Sequence, residues 1–332
     1  MAKSLKHIIL VSAIVSLTMN SCVFSDEKVL PPSSGRAGDL VVVMDSLLWT
    51  GLSEEQVFNC FAATQEGLPQ REPLFNVIKV ESKDFSRIFK TTKNIMIISD
   101  QESGKEAQFA MKENMWAKDQ LVLLIFAKSD NKVAEILKKN CAFIRDEFRK
   151  KEIKRLQKAF TKLKSAESTA LFEKKFGIQP LIPSDYKLVS QKENMIWMRK
   201  DFEHRGHFVN MGLLVYSFPY TSESELSDTL LMERRDKMTK NVKGSSPGSY
   251  MIRYAELPPT VKELNIKNRY VKELRGLWHM KVDFMGGPFV HYAFVDEEGR
   301  NLICIDGYVF APKFDKREYL RELEAIALSA IE

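Results

Sequence analysis

From residue 39 onward, short apolar runs alternate with longer stretches in which apolar side chains recur every three or four positions. The runs predict strands at Asp39–Met44, Phe75–Val80, Asn94–Ser99 and Gln120–Ala127. Between them a helix is expected from Ser53, with Gln56 completing a capping box and Val57, Phe58 and Phe61 on its buried side. Gly67-Leu68-Pro69-Gln70 breaks that helix, Asp84–Phe89 reads as a short one, and a polar helical piece precedes Gln120. A long helix runs from about Asn131 to Phe160. Its stripe of Val133, Leu137, Cys141, Ile144 and Phe148 continues through Leu156 and Phe160 after a small phase shift.

The second half starts near Phe176. Strands follow at Asn194–Lys200 and Phe208–Phe218, then a helix from Ser224 to Met238, a loop over residues 243–248 and a strand at Ser249–Tyr254. Arg275–Asp296 reads as a long hairpin, Glu297-Glu298-Gly299-Arg300 as a turn and Leu302–Phe310 as a strand. The final helix opens at Asp315 with a second capping box to Glu318, and Leu320, Leu323, Ile326, Ala327 and Ile331 supply its packing face. The pattern therefore predicts an α+β protein of two halves, 39–170 and 171–332, each a mostly antiparallel sheet covered by helices. Asn94–Asp100 echoes Asn194–Asp201, and Ile125-Phe126-Ala127 echoes Val309-Phe310-Ala311. These echoes suggest an internal duplication, with chance resemblance as the alternative.

The first 38 residues follow no such pattern. Lys3, Lys6 and His7 form a basic start and Ile8–Met19 an uncharged apolar run, too short to span a bilayer but of signal-peptide size. The run ends Leu17-Thr18-Met19-Asn20-Ser21-Cys22, which resembles a bacterial lipoprotein cleavage box. Residues 1–21 are thus expected to be a signal peptide, with Cys22 the lipidated N-terminus and 22–38 a tether holding Pro31-Pro32-Ser33-Ser34-Gly35. Asp26 and Glu27, close behind Cys22, resemble a surface-export signal. The expected location is the outer membrane, on its periplasmic or surface face, with the membrane as one partner through the lipid.

Composition is ordinary for a globular chain of 332 residues, 44% hydrophobic and 28% charged. The net charge of +6 falls by two when Lys3 and Lys6 leave with the leader, too little to imply a polyanion. Nucleic acid is not an expected partner. The long helix is locally basic, with eleven Lys or Arg between Lys138 and Lys164 against Asp146, Glu147 and Glu152. It reads first as a solvated face and second as a surface for anionic groups. Cys60, Cys141 and Cys304 read as buried thiols, and no disulfide framework is expected.

The hairpin carries most of the candidate chemistry. Alternation puts Gly276, Trp278, Met280, Val282 and Phe284 on one face and Arg275, His279, Lys281 and Asp283 on a polar, solvated one. Pro288 lacks an N–H, so a wide loop closed by Phe284 and Phe289 is expected. His291 then lies opposite Val282 on the Trp278 face, and His279 lies opposite Phe294 on the other. That separation argues against a shared metal. His279 with Asp283 could form an acid–base pair, and His204 with His207 sits beside Arg205, which opposes a cation. Residues 244–248 spell Gly-Ser-Ser-Pro-Gly, the letters of a nucleophile turn, but they lead from helix to strand and place Pro247 where an N–H would be needed. No catalytic residue, metal or cofactor is assigned.

Several phrases together resemble one family: Gly67-Leu68-Pro69-Gln70 with Glu72-Pro73-Leu74-Phe75, Gly248-Ser249-Tyr250-Met251, Arg275-Gly276-Leu277-Trp278 and Phe284-Met285-Gly286-Gly287-Pro288-Phe289. Gly307-Tyr308-Val309 with Ala311-Pro312 and Lys316-Arg317 completes the set. These phrases resemble an uncharacterised lipoprotein family of the Bacteroidota, domain of unknown function 4837. The resemblance implies an envelope lipoprotein and carries over no activity, cofactor or catalytic residue. The expected function is a non-catalytic, lipid-anchored binding or scaffold protein for an envelope protein or glycan. Its candidate binding residues are Arg275, Trp278, His279, Asp283, Ser246, Ser249 and Tyr250. The alternative is an envelope hydrolase using a serine of the 244–250 loop with a histidine.

Overall fold

The computed structural model describes residues 29–99 and 106–332. The expected signal peptide, Cys22, and Asp26 and Glu27 of the tether lie outside the described residues. The described end of the tether is docked rather than free. The Ser34 N–H donates to the Thr91 carbonyl at 2.8 Å, the Lys118 N–H to Pro31 at 2.8 Å and the Lys93 N–H to Ser34 at 3.0 Å.

The first lobe is built on β1 (Asp39–Met44), β2 (Asn76–Glu81), β3 (Asn94–Ser99), β4 (Gln108–Glu113) and β5 (Leu121–Phe126). The order is β2-β1-β3-β5-β4, parallel everywhere except between β4 and β5. The expected antiparallel arrangement is therefore wrong here. The cause is that β1, β3 and β5 are apolar on both faces, as interior parallel strands must be. Leu40, Val42, Met96 and Ile98 face one core, while Val41, Val43, Ile95 and Val122 face the other. The polar helix expected before Gln120 is instead edge strand β4, whose Phe109 and Met111 alternate inward.

Helices α1 (Leu52–Phe61), α2 (Arg87–Lys90) and α3 (Asp130–Leu163) complete the lobe. A disulfide joins Cys60 of α1 to Cys141 of α3, 81 residues apart, which corrects the reading of both as thiols. Cys304 is buried and free.

The second lobe opens with α4 (Ala166–Phe176). It continues through β6 (Lys187–Lys192), β7 (Met195–His204), β8 (His207–Pro219), α5 (Asp228–Thr239), β9 (Met251–Arg253), β10 (Thr260–Ile266), β11 (Arg269–Met280), β12 (Gly286–Val295) and β13 (Asn301–Phe310), and ends with α6 (Arg317–Ile331). Its sheet runs β10-β11-β12-β13-β8-β7-β6, with β9 on the end of β11, and every pair is antiparallel. The two-part α+β architecture stands. The two sheets differ in strand order and direction, so the sequence echoes do not correspond to a repeated topology.

Helix α3 belongs to both lobes. Val133, Leu137, Ile144 and Phe148 pack in the first core, and Ile153 and Phe160 in the second. The phase shift in its apolar stripe marks the passage from one core to the other. Part of its basic face is paired within the molecule: Lys151 with Glu113 at 2.7 Å, Arg155 with Glu152 at 2.7 Å and Lys158 with Asp119 at 2.7 Å.

Neither expected capping box forms. The first free N–H groups of α1, on Leu52 and Ser53, donate to the Asp130 carboxylate of α3 at 2.7 and 2.8 Å. Burial alone would raise the Asp130 carboxyl, but the hydrogen bonds from Ser53 and Leu52 hold it below its ordinary value. A side chain at Gly51 would put its Cβ 2.3 Å from that carboxylate. The same device serves α6, where the Lys316 and Arg317 N–H groups donate to Glu72 of the first lobe at 2.7 and 2.8 Å. A carboxylate at a helix N-terminus satisfies orphan donors and the helix dipole together. Glu72→Ala is expected to lower stability by about 1–2 kcal/mol, as read by urea unfolding.

Candidate functional site

The β11–β12 register pairs Leu274 with His291, Trp278 with Gly287 and His279 with Gly286. The loop therefore spans residues 281–285, closed by the Met280 N–H donating to the Met285 carbonyl at 2.8 Å, and not by Phe284 and Phe289. Pro288 tolerates a place inside the sheet, opposite Leu277. The two histidines still fall on opposite faces, as expected, though their partners differ. Val282 and Phe284 leave the strand altogether and stand exposed in the loop.

The face expected to be solvated is instead buried under α6 and α3. Arg275 donates to Glu273 at 2.8 and 3.0 Å and to Glu324 at 2.5 Å. Arg149 of α3 reaches Glu273 at 3.3 Å and Glu324 at 3.0 Å, and the Tyr292 hydroxyl donates to Glu273 at 2.7 Å. Two cations and two anions thus neutralise one another between the lobes. Burial alone would raise both carboxyls, but Arg275 and Arg149 hold them below the usual carboxylate range. Beside this network a cleft of about 540 Å³ separates the lobes, bridged by the Lys262–Glu66 ion pair at 2.6 Å. Arg275 is therefore a structural tie and not a ligand-facing group. What pattern reading missed was Glu273, two residues before Arg275 on the same face, and Glu324 in the apolar stripe of α6.

The opposite face holds the candidate site. A cavity of about 270 Å³ is lined by Trp197, Trp278, Tyr308, Met280 and Met285, with Arg199, Asn210 and Lys243 as its main polar groups. Tyr308 lies flat over Gly212, its partner across the β13–β8 pair, where a Cβ would meet the ring at 2.0 Å. Trp278 meets Tyr308 edge-on at 5.5 Å between ring centroids. The indole N–H of Trp278 is buried without a hydrogen-bond acceptor among the described residues, while that of Trp197 faces the Tyr308 hydroxyl. Arg199 pairs with Asp201 at 2.7 Å. Donors thus predominate around an aromatic space, which suits a ligand carrying acceptors.

Residues 242–245 form one wall of this cavity, and Asp283 holds their loop in place. The Ser246 N–H and hydroxyl donate to Asp283 at 3.1 and 2.5 Å, and the Asp283 N–H donates to the Ser249 hydroxyl at 3.2 Å. These serine hydrogen bonds hold the Asp283 carboxyl below its ordinary value. Neither serine hydrogen-bonds to a histidine among the described residues, so the expected serine–histidine pairing is replaced by a serine–aspartate clasp. Asp283→Ala is expected to speed amide exchange at Ser246 several-fold while leaving exchange in β12 unchanged.

The remaining candidates scatter. His279 donates from Nδ1 to the Met280 carbonyl, 3.0 Å away, and packs edge-on against Tyr254, not against Asp283. His204 and His207 flank the Arg205-Gly206 turn and pack on Phe314 at 4.4 and 5.9 Å. His291 is fully buried, with Nδ1 3.3 Å from Asp306, which also receives Arg235 at 2.6 and 3.1 Å. Burial would raise the Asp306 carboxyl, but Arg235 and His291 keep it low. This inner cluster was detectable as one aspartate inside the apolar run Leu302–Phe310. No group of three or more His, Cys, Asp or Glu side chains is placed to hold a metal among the described residues. No helix among them is long and apolar enough to cross a membrane.

Fold and site together define a two-lobed α+β protein with an aromatic cavity at one end of its antiparallel sheet. Residues 164–329, half of the chain, match the family described as Domain of unknown function (DUF4837), and the chain belongs to that family. Residues 33–161 match a second family, Domain of unknown function (DUF8532). No curated protein matches the chain.

Proposed function

We propose that this is a non-catalytic binding protein of the bacterial cell envelope, moored to the outer membrane by lipid on Cys22. Its ligand has an apolar body and an acceptor-bearing or anionic end, presented by an envelope protein or glycan. The observation that carries the binding role is the cavity beneath residues 242–245, with the acceptorless indole N–H of Trp278, Arg199 and Lys243 around an aromatic floor. The Cys60–Cys141 disulfide supports an oxidising compartment, and the leader with its lipoprotein-like box supports the mooring.

The binding role is tested with 1-anilinonaphthalene-8-sulfonate, an aromatic anion. Saturable one-to-one binding with energy transfer from tryptophan is expected, and Ser245→Trp, which fills the mouth, should abolish it. Binding that survives this substitution unchanged, or no binding at all, overturns the site. The mooring is tested by palmitate labelling in cells. Label should be present in the wild type and absent in Cys22→Ala, and an unlabelled wild type rejects the anchor.

A further inference from the structure

The two loops at the cavity's mouth carry a surface of which the binding reading uses Lys243 alone. Lys240, Lys243 and Lys281 converge on one aromatic ring, their ammonium groups 5.8, 5.5 and 5.3 Å from the centroid of Tyr250. None of the three has an ion pair among the described residues, although each is exposed. Four residues of loop lie between Lys281 and β12, and their tip is apolar: Phe284 is fully exposed and Val282 is 58% exposed. The loop is not slack. The Lys281 N–H donates to the Tyr250 carbonyl at 2.9 Å, and Asp283 is clasped by Ser246 and Ser249.

We infer that loops 243–249 and 281–285 dock on an anionic bilayer surface, with Phe284 and Val282 entering the interface and the three lysines meeting phosphate headgroups. A held loop presents an aromatic tip without the entropy cost of ordering it, and bare aromatic side chains favour the membrane–water interface. Each lysine near an anionic surface strengthens attachment by about fivefold. The charge is complementary to phosphate and the protrusion is convex. A bilayer accepts a convex apolar tip at any point, whereas a protein partner must supply a matching pocket. The inference depends neither on the lipid at Cys22 nor on what occupies the cavity.

The test uses the full-length chain with a solvatochromic amino acid placed at position 284, and the same reporter at position 88 as control. Ile88 is 78% exposed and belongs to the first lobe. On vesicles containing phosphatidylglycerol, emission from 284 is expected to shift to the blue while emission from 88 stays put. Vesicles of phosphatidylcholine alone should give no shift at 284. Because the reporter sits at the tip, attachment through the N-terminus cannot imitate the result. Replacing Lys240, Lys243 and Lys281 together by Gln should weaken tip insertion by roughly 100-fold and remove the shift, with an unchanged melting temperature confirming the fold. No shift at 284 on anionic vesicles, or an equal shift at 88, overturns the inference. An equal shift at 284 on adding soluble polyglutamate without vesicles also overturns it and assigns the patch to an acidic protein.

Discussion

Replacing Arg275 by alanine is expected to cost about 3–5 kcal/mol of unfolding free energy. The loss does not come from a favourable ion pair alone. Arg275 supplies three of the hydrogen bonds to Glu273 and Glu324, and its removal leaves two buried carboxylates with Arg149 as their one remaining cation among the described residues and the Tyr292 hydroxyl on Glu273. The pH dependence makes the assignment specific. In the wild type both carboxyls are depressed by the two arginines, below an unfolded value of about 4.3. Their contribution is therefore fully present above that unfolded value and is lost as pH falls toward the depressed folded values. In the variant, one carboxyl is relieved by taking up a proton, so the deficit should be widest near neutral pH and should narrow toward about pH 4. Urea unfolding across that range, monitored by far-ultraviolet dichroism, measures both curves. A deficit that does not change with pH would mean that Arg275 acts through packing alone.

Removing the disulfide by changing both Cys60 and Cys141 to alanine is expected to cost roughly 4 kcal/mol. The chain-entropy relation sets that scale for a loop closed between positions 81 apart in the sequence. The bond ties α1 to the first-lobe end of α3, so its loss should release the first lobe ahead of the second. Hydrogen exchange would then rise first in β1 and β2, while β12 and β13 stay protected. Reduction of the wild-type protein should reproduce the same order. Simultaneous opening of both lobes would show that α3 transmits the loss to the second core.

Much of this architecture could be read from the chain, and the errors have identifiable sources. The strands were readable because apolar runs of strand length are bounded by turn residues, as at Asp39–Met44 and Leu302–Phe310. Their direction is not local information, since a run that is apolar on both faces shows burial at once and a parallel neighbour only through what covers both faces. The facing of the hairpin came through, because side-chain alternation survives any even shift of register. The register itself was wrong by such a shift, since Lys281–Met285 continues the apolar–polar alternation of a strand while forming a loop.

The candidate site was legible only in part. Trp278, Ser246, Ser249 and Asp283 do gather at one end of the sheet. Arg275 does not, because nothing local in β11 tells that α6 and α3 cover its polar face. Trp197, Tyr308 and Asn210 come from strands far apart in the chain, and only the sheet order brings them to the cavity. The caps escape local pattern for the same reason. Ser53 and Asp315 satisfy a local rule, yet the acceptors come from Asp130 and Glu72, each on a different element.

Helix α3, at 34 residues, has a length of about 50 Å. The short link between it and α4, residues 164–165, is where the two matched families meet. A protease that nicks the backbone there would not liberate two independent particles. The amino-terminal fragment would keep Ile153 and Phe160 buried in its neighbour, while Glu72 and Arg149 would still grip α6 and β11. The pieces would separate in detergent-denaturing electrophoresis and co-elute on a sizing column, as two polypeptides making one body.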